Sequence, residues 1–296
     1  MKYISIVGPT ASGKTKLAIS LAKKFNCEII NSDSRLFYKD FFIGTDKPRR
    51  DKYRKKYYVE GVKHNLIDFL DPKKDFSIAL FISKAKKLIE KMNSEGKVPI
   101  VVGGSPLYAD ALNYNYRVSG VLANKKLRKD LSKKSLMRLL EILQKESPSS
   151  YNLVDKKNSR RVIRAIELSM QGESISREKR ELPSSVLLLG VKRDRDDIYR
   201  SINKRVDLMI KDGLIKEVKM LLDKYPKKSS AFSSIGYCEI IEVLENKISL
   251  EEAIDKIKIK TRHFAKRQIT WYKRDKNIQW VSSLKDAQSK IKDFLN

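Results

Sequence analysis

The amino-acid sequence predicts an α/β fold in which a parallel-sheet core carries an inserted helical domain. Short apolar runs alternate with amphipathic stretches of helical spacing in the amino-terminal third, a pattern typical of parallel strands that helices connect. A glycine-rich motif stands between the first strand and the first helix. From about residue 114 to residue 183 the chain is rich in lysine and lacks a good strand signal, which indicates the insertion.

The elements follow in order from the amino terminus. Residues 3–7 form an apolar run that predicts the first strand, and Leu17, Leu21 and Phe25 recur at helical spacing within a helix at residues 16–25. Ser77 is a typical N-cap, and Gly96 a typical stop, for a later helix. The alternation predicts three further elements: a strand at residues 28–31, a helix at residues 77–95 and a strand at residues 98–102.

The carboxy-terminal part begins with an apolar run at residues 186–191, which predicts another strand, and continues as helices. Ser249 and Glu252 match a capping box at the start of the last long helix. The predicted helices cover residues 197–211, 215–223, 235–244 and 250–273. We therefore expect two domains: a core made of residues 1–113 and 184–296, and a helical insertion made of residues 114–183.

Composition excludes several classes of protein. The 296 residues include 64 Lys and Arg against 36 Asp and Glu, which gives a formal net charge of +28, and 41% of the residues are hydrophobic. That hydrophobic share is too high for a disordered tail. No apolar run approaches the roughly 18 residues that a membrane helix needs. The charge favours a polyanionic partner such as a nucleic acid, and a lysine-rich surface without a function is the alternative interpretation.

The cysteines and the amino terminus bear on the compartment. Cys27 and Cys238 are too few for a disulfide framework or a zinc cluster, and small buried apolar side chains are the simplest interpretation of both. The first apolar stretch is too short for a signal peptide. His64 and His263 are isolated and do not suggest a site. We expect a cytoplasmic monomer that does not bind membranes.

The glycine-rich motif is the strongest chemical signal in the sequence. It matches G-x-x-x-x-G-K-[ST] between a strand and a helix, which is the context of a P-loop. Backbone N–H groups of such a loop surround an anion, the helix N-terminus adds its positive dipole end, and Lys14 adds a charge. The Thr15 hydroxyl can ligate Mg²⁺. The motif predicts a bound diphosphate group, ATP included, and consists of Gly8, Pro9, Thr10, Ala11, Ser12, Gly13, Lys14 and Thr15.

Polar residues follow two other predicted strands. Asp33 comes after the second strand, and Gly103, Gly104 and Ser105 come after the third. Ligands of open parallel sheets bind outside the carboxyl ends of the strands, so these segments should face the same crevice as the P-loop. Asp33 is thus a candidate metal ligand or general base. A helix N-cap or turn aspartate is the alternative.

Clusters of basic residues suggest where a nucleic acid binds. Arg160, Arg161 and Arg164 lie within five residues, and a helix would place Arg160 and Arg164 on one face. Arginine suits phosphates and base edges. The stretch from residue 256 to residue 276 mixes Lys and Arg with aromatic residues such as Trp271, as RNA-binding helices do. Solvated charged faces, with Trp271 in the core, are the alternative.

These and other stretches resemble, in order along almost the whole chain, the tRNA dimethylallyltransferases, also called tRNA isopentenyltransferases. The similarity is specific because many separate motifs agree. They are GPTASGKT at residues 8–15, NSDS at 31–34 with Tyr38, IGTDKP at 43–48, HNLID at 64–68, Phe76 with Ser77, Gly103 and Gly104 with Leu107 and Tyr108, RVIRA at 161–165, RVD at 205–207 with Gly213 and Leu214, IGY at 235–237, Thr261 with Arg262, AKRQ at 265–268 and TWY at 270–272.

The resemblance implies a P-loop catalytic core and an insertion that contacts the anticodon stem-loop of tRNA. It implies transfer of a dimethylallyl group from dimethylallyl diphosphate to the exocyclic amine of the adenosine 3′ to the anticodon, with Mg²⁺ as cofactor. The P-loop then holds the diphosphate leaving group, and Asp33 takes the amine proton, with Lys14 and Ser105 as further catalytic candidates. The implied tRNA contacts are Asp33, Ser34, Arg35, Leu36, Ser105, Arg128, Arg160, Arg161, Val162, Ile163 and Arg164.

The chain departs from the family pattern at two places. Leu36 stands where the family usually has Gln, and Ser105 and Pro106 replace the usual Thr-Gly. Ser105 keeps the hydroxyl, whereas Pro106 removes an N–H and stiffens the turn.

Two other functions fit parts of the sequence. A small-molecule P-loop kinase that uses ATP would need lid arginines, for which Arg49, Arg50 and Arg54 are candidates. An RNA-binding protein switched by a nucleoside triphosphate is the non-enzymatic alternative. Consumption of ATP or of dimethylallyl diphosphate in the presence of tRNA would separate the three.

Overall fold

A computed structural model describes residues 1–116, 119, 123–175 and 181–296 of the chain. Their strands are β1 (Tyr3–Val7), β2 (Ile29–Asn31), β3 (Tyr58–Val59), β4 (Val62–Asn65), β5 (Ile100–Gly103), β6 (Val186–Val191) and β7 (Gln279–Val281). Their helices are α1 (Lys14–Phe25), α2 (Ile78–Ser94), α3 (Pro106–Asn113), α4 (Lys125–Leu131), α5 (Leu136–Glu146), α6 (Pro148–Leu153), α7 (Ser159–Ser169), α8 (Arg195–Lys211), α9 (Leu214–Lys224), α10 (Tyr237–Leu244), α11 (Leu250–Tyr272) and α12 (Leu284–Leu295).

The described strands form one sheet in the order β3-β4-β2-β5-β1-β6-β7. All neighbours are parallel except β3 and β4. Strand β1 is central, with Ile4 paired to Ile100 on one side and to Leu187 on the other. All five residues of β1 are buried, as expected for a parallel strand with helices on both faces. The carboxyl ends of β1, β2 and β5 therefore meet at one edge, where the loops that follow them form the site.

The predicted α/β fold with a parallel-sheet core is confirmed. The strands predicted at residues 3–7 and 186–191 have those bounds, and the other two begin one or two residues later than predicted, at Ile29 and Ile100. Strands β3, β4 and β7 and helices α3 and α12 were not predicted from the sequence. The strands among them have two to four residues each, and such short segments carry little periodicity to recognise.

Contacts divide the chain into two compact units, residues 1–114 with 182–296 and residues 115–181. We call them the core unit and the helical unit. The helical unit contains α4 to α7 around its own apolar cluster, in which Leu139, Leu143, Val162 and Ile166 are almost fully buried. Parts of the predicted helical insertion, at residues 117, 118, 120–122 and 176–180, lie outside the described residues.

The structure corrects two of the predicted tRNA contacts. Val162 is fully buried and Ile163 is 8% exposed, and both pack in the apolar cluster of the helical unit. Helix α7 is amphipathic, so the residues between its arginines point inward. The side chains of Val162 and Ile163 are therefore too buried to contact RNA. The contacts with tRNA that remain predicted on α7 are those of the arginines beside them.

Candidate active site

The P-loop connects β1 to α1 and turns through conformations that favour glycine. Gly13 is the N-cap of α1 with φ of +86°, in the left-handed region, where a side chain is strained. Lys14, the first residue of the helix, folds back over the loop, and its Nζ donates to the Pro9 carbonyl at 3.1 Å. Burial lowers the pKa of Lys14 to about 8, although the nearby Asp33 carboxylate opposes this shift. An incoming anion would raise this pKa again and favour the charged form.

A buried glutamine on α11 ties the P-loop to the segment after β5. Gln268 is 1% exposed; its Oε1 accepts from the Thr10 N–H at 2.9 Å, and its Nε2 donates to the Gly104 carbonyl. A Cβ at Gly104 would lie 2.9 Å from Nε2 of Gln268 and 3.2 Å from Nζ of Lys14, so the close approach of these two side chains favours glycine here. The sequence places Gln268 in a motif of the resemblance and on a helical stripe that can pack against the core, but it does not predict this contact with the P-loop.

Asp33 lies at the carboxyl end of β2, facing the P-loop crevice as predicted. Its Oδ1 accepts from the Arg35 N–H at 3.1 Å and from the Ser105 hydroxyl at 3.3 Å. Asp33 is therefore also the N-cap of the short 3₁₀ helix Ser34–Phe37, which was the alternative interpretation. Both hydrogen bonds fall on Oδ1, so Oδ2 has no hydrogen-bond partner among the described residues. One carboxylate thus caps a turn and still offers an acceptor to a ligand.

Asn31 fixes the backbone on both sides of Asp33. Its Oδ1 accepts from the Asp33 N–H at 3.0 Å, and its Nδ2 donates to the carbonyls of Asp33, at 3.0 Å, and of Leu66, at 2.8 Å. Asn31 is almost fully buried. These bonds hold Asp33 at a fixed place relative to β2 and leave its carboxylate little freedom to move away from the crevice.

Arg205 is a third charged group beside the P-loop, and the sequence alone did not predict a role for it. This residue of α8 donates from one guanidinium nitrogen to the Thr10 hydroxyl, at 2.9 Å, and to the Asp46 carboxylate, at 3.1 Å. Its Nε is buried and has no hydrogen-bond partner among the residues that the structure describes. Arg205 belongs to a motif of the resemblance, but no local pattern in the sequence connects α8 with a loop almost two hundred residues earlier.

Two cavities of the core unit open on either side of these residues. One, of about 380 Å³, includes the P-loop residues Lys14 and Thr15. The other, of about 460 Å³, has an apolar wall of Val206, Met209, Ile257 and Phe264, with Ser105 at its lining. Five residues line both: Thr10, Asp33, Thr45, Asp46 and Arg205. The P-loop cavity and the cavity with the apolar wall therefore share a boundary that includes Asp33.

The residues that follow Asp33 were all predicted to contact tRNA, but they line different cavities. Ser34 and Arg35 line the apolar cavity, and Arg35 also donates to the Ser230 carbonyl at 3.0 Å. Leu36 lines the P-loop cavity and packs against the core of the sheet. Pro106 is the first residue of α3, where its missing N–H would have no helical partner anyway. The two departures from the family pattern thus fit their surroundings.

The arginines of the helical unit differ in the ion pairs that they form within the unit. Arg128 donates two hydrogen bonds to Glu167, at 3.0 and 2.6 Å, and Arg164 donates another. The Glu167 side chain is fully buried. Burial raises the pKa of Glu167, but the hydrogen bonds from both arginines outweigh it and lower the pKa to about 2. Arg161 pairs with Asp155 at 3.0 Å on the surface, and Arg160 is exposed.

The described residues contain no group of three or more His, Cys, Asp or Glu side chains able to hold a metal ion. A divalent cation here would depend on ligand oxygens together with the Thr15 hydroxyl. None of the described helices is both long and apolar enough to cross a membrane.

Comparison with known proteins identifies close relatives. The profile of a family described as IPP transferase matches residues 36–275, and that of isopentenyl transferase matches residues 1–65. The tRNA dimethylallyltransferase of Carboxydothermus hydrogenoformans is 43% identical over 300 residues, which cover 98% of this chain and 94% of the relative. That of Anoxybacillus flavithermus is 39% identical over 291 residues, covering 97% and 92%.

Solved structures agree with the sequence relatives. The chain is similar to a full-length tRNA isopentenylpyrophosphate transferase from Bacillus halodurans, with a TM-score of 0.75 and 33% identity over 99% of this chain and 96% of the other. It is also similar to a eukaryotic dimethylallyltransferase acting on tRNA, with a TM-score of 0.76 and 27% identity over 99% of this chain and 77% of the other.

Proposed function

This chain belongs to the IPP transferase family, and on that premise we propose that it transfers a dimethylallyl group from dimethylallyl diphosphate to tRNA. The acceptor is the exocyclic amine of the adenosine 3′ to the anticodon. Relatives that cover nearly the whole chain carry the name tRNA dimethylallyltransferase. They favour this function over the P-loop kinase and over the nucleotide-switched RNA-binding protein.

The observation that carries the proposal is the meeting of the two cavities at Asp33. A prenyl diphosphate has an anionic half and an apolar half, and its reactive carbon lies between them. The P-loop cavity suits the diphosphate, and the wall of Val206, Met209 and Phe264 suits an apolar group. A carboxylate at the boundary lies where the bond to the amine would form.

The groups around the P-loop have a clear task in this reaction. As the allylic C–O bond breaks, negative charge builds up on the departing diphosphate. Backbone N–H groups of the loop, Lys14 and Arg205 are already in place to stabilise that charge, so little reorganisation is needed in the transition state. Mg²⁺ would neutralise part of the same charge, held by diphosphate oxygens and the Thr15 hydroxyl, as is usual for Mg²⁺ at phosphate sites.

Asp33 then acts on the nucleophile. An adenine amine is weakly nucleophilic because its lone pair is delocalised into the ring, so it must lose a proton as the C–N bond forms. The Asp33 Oδ2 is the acceptor for that proton, while Ser105 and the Arg35 N–H hold Oδ1. Ser34, Arg35 and Ser105 at the apolar cavity would contact the acceptor nucleotide. Arg160 and Arg161 of the helical unit would contact the anticodon stem-loop, while Arg128 and Arg164 support them through Glu167.

The test is mass spectrometry of nucleosides from unmodified tRNA after incubation with the pure protein, dimethylallyl diphosphate and Mg²⁺. We expect a mass increase on one adenosine, 3′ to the anticodon, and none in the absence of dimethylallyl diphosphate. Consumption of ATP, with no modified nucleoside, would instead support the kinase. A parallel incubation with an anticodon stem-loop of mutated adenosine serves as the control and should stay unmodified.

A further inference from the structure

The segment that connects the Tyr38 region to β3 carries Thr45 and Asp46, which line both cavities. This segment has no regular secondary structure of its own, yet Asp46 must stay beside Arg205 for the ion pair at 3.1 Å to form. Something outside the segment must therefore determine its conformation. The contacts of residues 42–44 identify what does.

One buried carboxylate on α9 accepts the N–H groups of three consecutive residues of the segment. Glu217 Oε2 accepts from the N–H groups of Phe42, at 3.2 Å, and Ile43, at 2.8 Å. Its Oε1 accepts from the Gly44 N–H at 3.3 Å and from the Tyr237 hydroxyl at 2.6 Å. Four donors converge on a side chain that is 6% exposed. Hydrogen bonds to a buried charge are among the stronger ones in proteins, and each is expensive to leave unmade.

Tyr237 closes the arrangement from α10. It is fully buried, and its ring lies against Phe41 with 4.9 Å between the ring centroids. A Cβ at Gly44 would come within 2.5 Å of this ring, so residue 44 must be a glycine for the segment to pass. At the other end, Lys47 is buried and donates to Asp68 at 2.7 Å. Thr45 and Asp46 are thus held between two fixed points.

We propose that Glu217 and Tyr237 are positioning residues for the diphosphate site, although neither lines a cavity described above. They fix residues 42–44, which holds Asp46 against Arg205, which in turn holds the Arg205 guanidinium on the Thr10 hydroxyl of the P-loop. The assignment of the P-loop cavity as the diphosphate site rests on the proposed function. The chain of contacts connects α9 and α10 to the P-loop, although the sequence separates them by about two hundred residues.

The test is Tyr237→Phe, which removes one hydroxyl and keeps the ring, together with Glu217→Gln. Kinetics with dimethylallyl diphosphate and an anticodon stem-loop RNA give the two KM values, and calorimetric titration with inorganic pyrophosphate gives a Kd that does not depend on turnover. We expect KM for dimethylallyl diphosphate and Kd for pyrophosphate to rise about tenfold, equivalent to about 1.4 kcal/mol. KM for the RNA should stay within about twofold.

The matched control is Tyr3→Phe, because Tyr3 is also buried and donates its hydroxyl to one partner, Asn113, at 3.2 Å. A loss of stability alone would affect both tyrosine variants without separating the two KM values. A tenfold rise in Tyr237→Phe but not in Tyr3→Phe supports positioning. If Glu217→Gln does not fold, the comparison of Tyr237→Phe with Tyr3→Phe still tests the proposal. Equal KM values for dimethylallyl diphosphate in Tyr237→Phe and wild type would overturn the proposal.

A double-mutant cycle tests the route through Asp46. If Tyr237 acts through Asp46, then adding Tyr237→Phe to Asp46→Asn should change Kd for pyrophosphate by no more than about twofold, whereas independent effects would multiply. Multiplying effects would refute the route. The pyrophosphate titration also separates two failures: a wild-type protein that does not modify tRNA would contradict the proposed function, while the titration would still test the positioning.

Discussion

The P-loop of the core unit and the arginine-rich helix α7 of the helical unit were both predicted to meet phosphate groups, and they teach opposite lessons. The P-loop motif encodes a backbone conformation: Gly13 has positive φ, and Lys14 lies over the loop. The arginine cluster encodes only composition. Of its members, Arg164 is bound to the buried Glu167, as is Arg128 of helix α4. A motif that specifies geometry predicts the position of each of its residues. The role of each residue in a charge cluster, in contrast, depends on what that residue contacts in the structure.

The largest effect should come from Asp33→Asn in the core unit. The variant keeps the shape of the side chain but removes the base, so we expect single-turnover transfer to fall by about 10²–10⁴. Affinity for dimethylallyl diphosphate and for tRNA should change little, because the interaction matters mainly in the transition state. If diphosphate affinity weakened and extra Mg²⁺ restored it, Asp33 would be a metal ligand. Near-normal single-turnover transfer would rule out the base.

Glu167→Gln should have the largest effect in the helical unit, on stability and not on chemistry. Removing the charge takes a buried carboxylate away from the guanidinium groups of Arg128 and Arg164, and breaking a buried ion pair in this way costs about 3 kcal/mol. Since the folded pKa of Glu167 lies at about 2, below the usual 4.5, its contribution is complete above pH 4.5 and disappears as the pH falls towards 2. Denaturant melts of both proteins at several pH values should show the difference shrink over that range.

Lys14→Ala should weaken diphosphate binding by about 1.5–3 kcal/mol, the value of a hydrogen bond to a charged group. Titration with dimethylallyl diphosphate measures the loss, and tRNA binding to the same variant is the control. Unchanged diphosphate affinity together with lost tRNA binding would mean that the P-loop has been assigned the wrong ligand.

The pH dependence of binding gives a finer test of the same residue. With burial placing the pKa of Lys14 at about 8, the free protein loses this charge as the pH rises through 8. Affinity for dimethylallyl diphosphate should therefore be constant below pH 8 as far as Lys14 is concerned, and fall above it by up to about tenfold per pH unit. Lys14→Ala should lack this break. A break that persists in the variant would belong to another group.

The sequence predicted the parts of the site that depend on local patterns, and it failed where distant segments meet. The P-loop, Asp33 and Ser105 all follow strands, so the parallel topology alone brings them to one edge. Arg205 and Gln268 could not be found in this way, because each reaches the P-loop from a helix near the other end of the chain. Likewise the burial of Val162 and Ile163 depends on how α7 packs in its unit, which three arginines within five residues do not reveal.

Arg160 offers the last and smallest test of the comparison, because it is exposed on α7 while Arg128 is bound to Glu167. For wild type, if about six phosphates are neutralised, tRNA affinity should fall roughly 10³-fold between 50 and 200 mM salt. Arg160→Ala should lower the slope of log affinity against log salt by about 1, the contribution of one phosphate contact, without lowering the melting temperature. Arg128→Ala should do the reverse: a lower melting temperature and a nearly unchanged slope, because its guanidinium is already bound to the buried Glu167 carboxylate. Equal slopes for wild type and Arg160→Ala would mean that this face of α7 does not meet RNA, and the phosphate contacts would then have to be sought among the other basic residues.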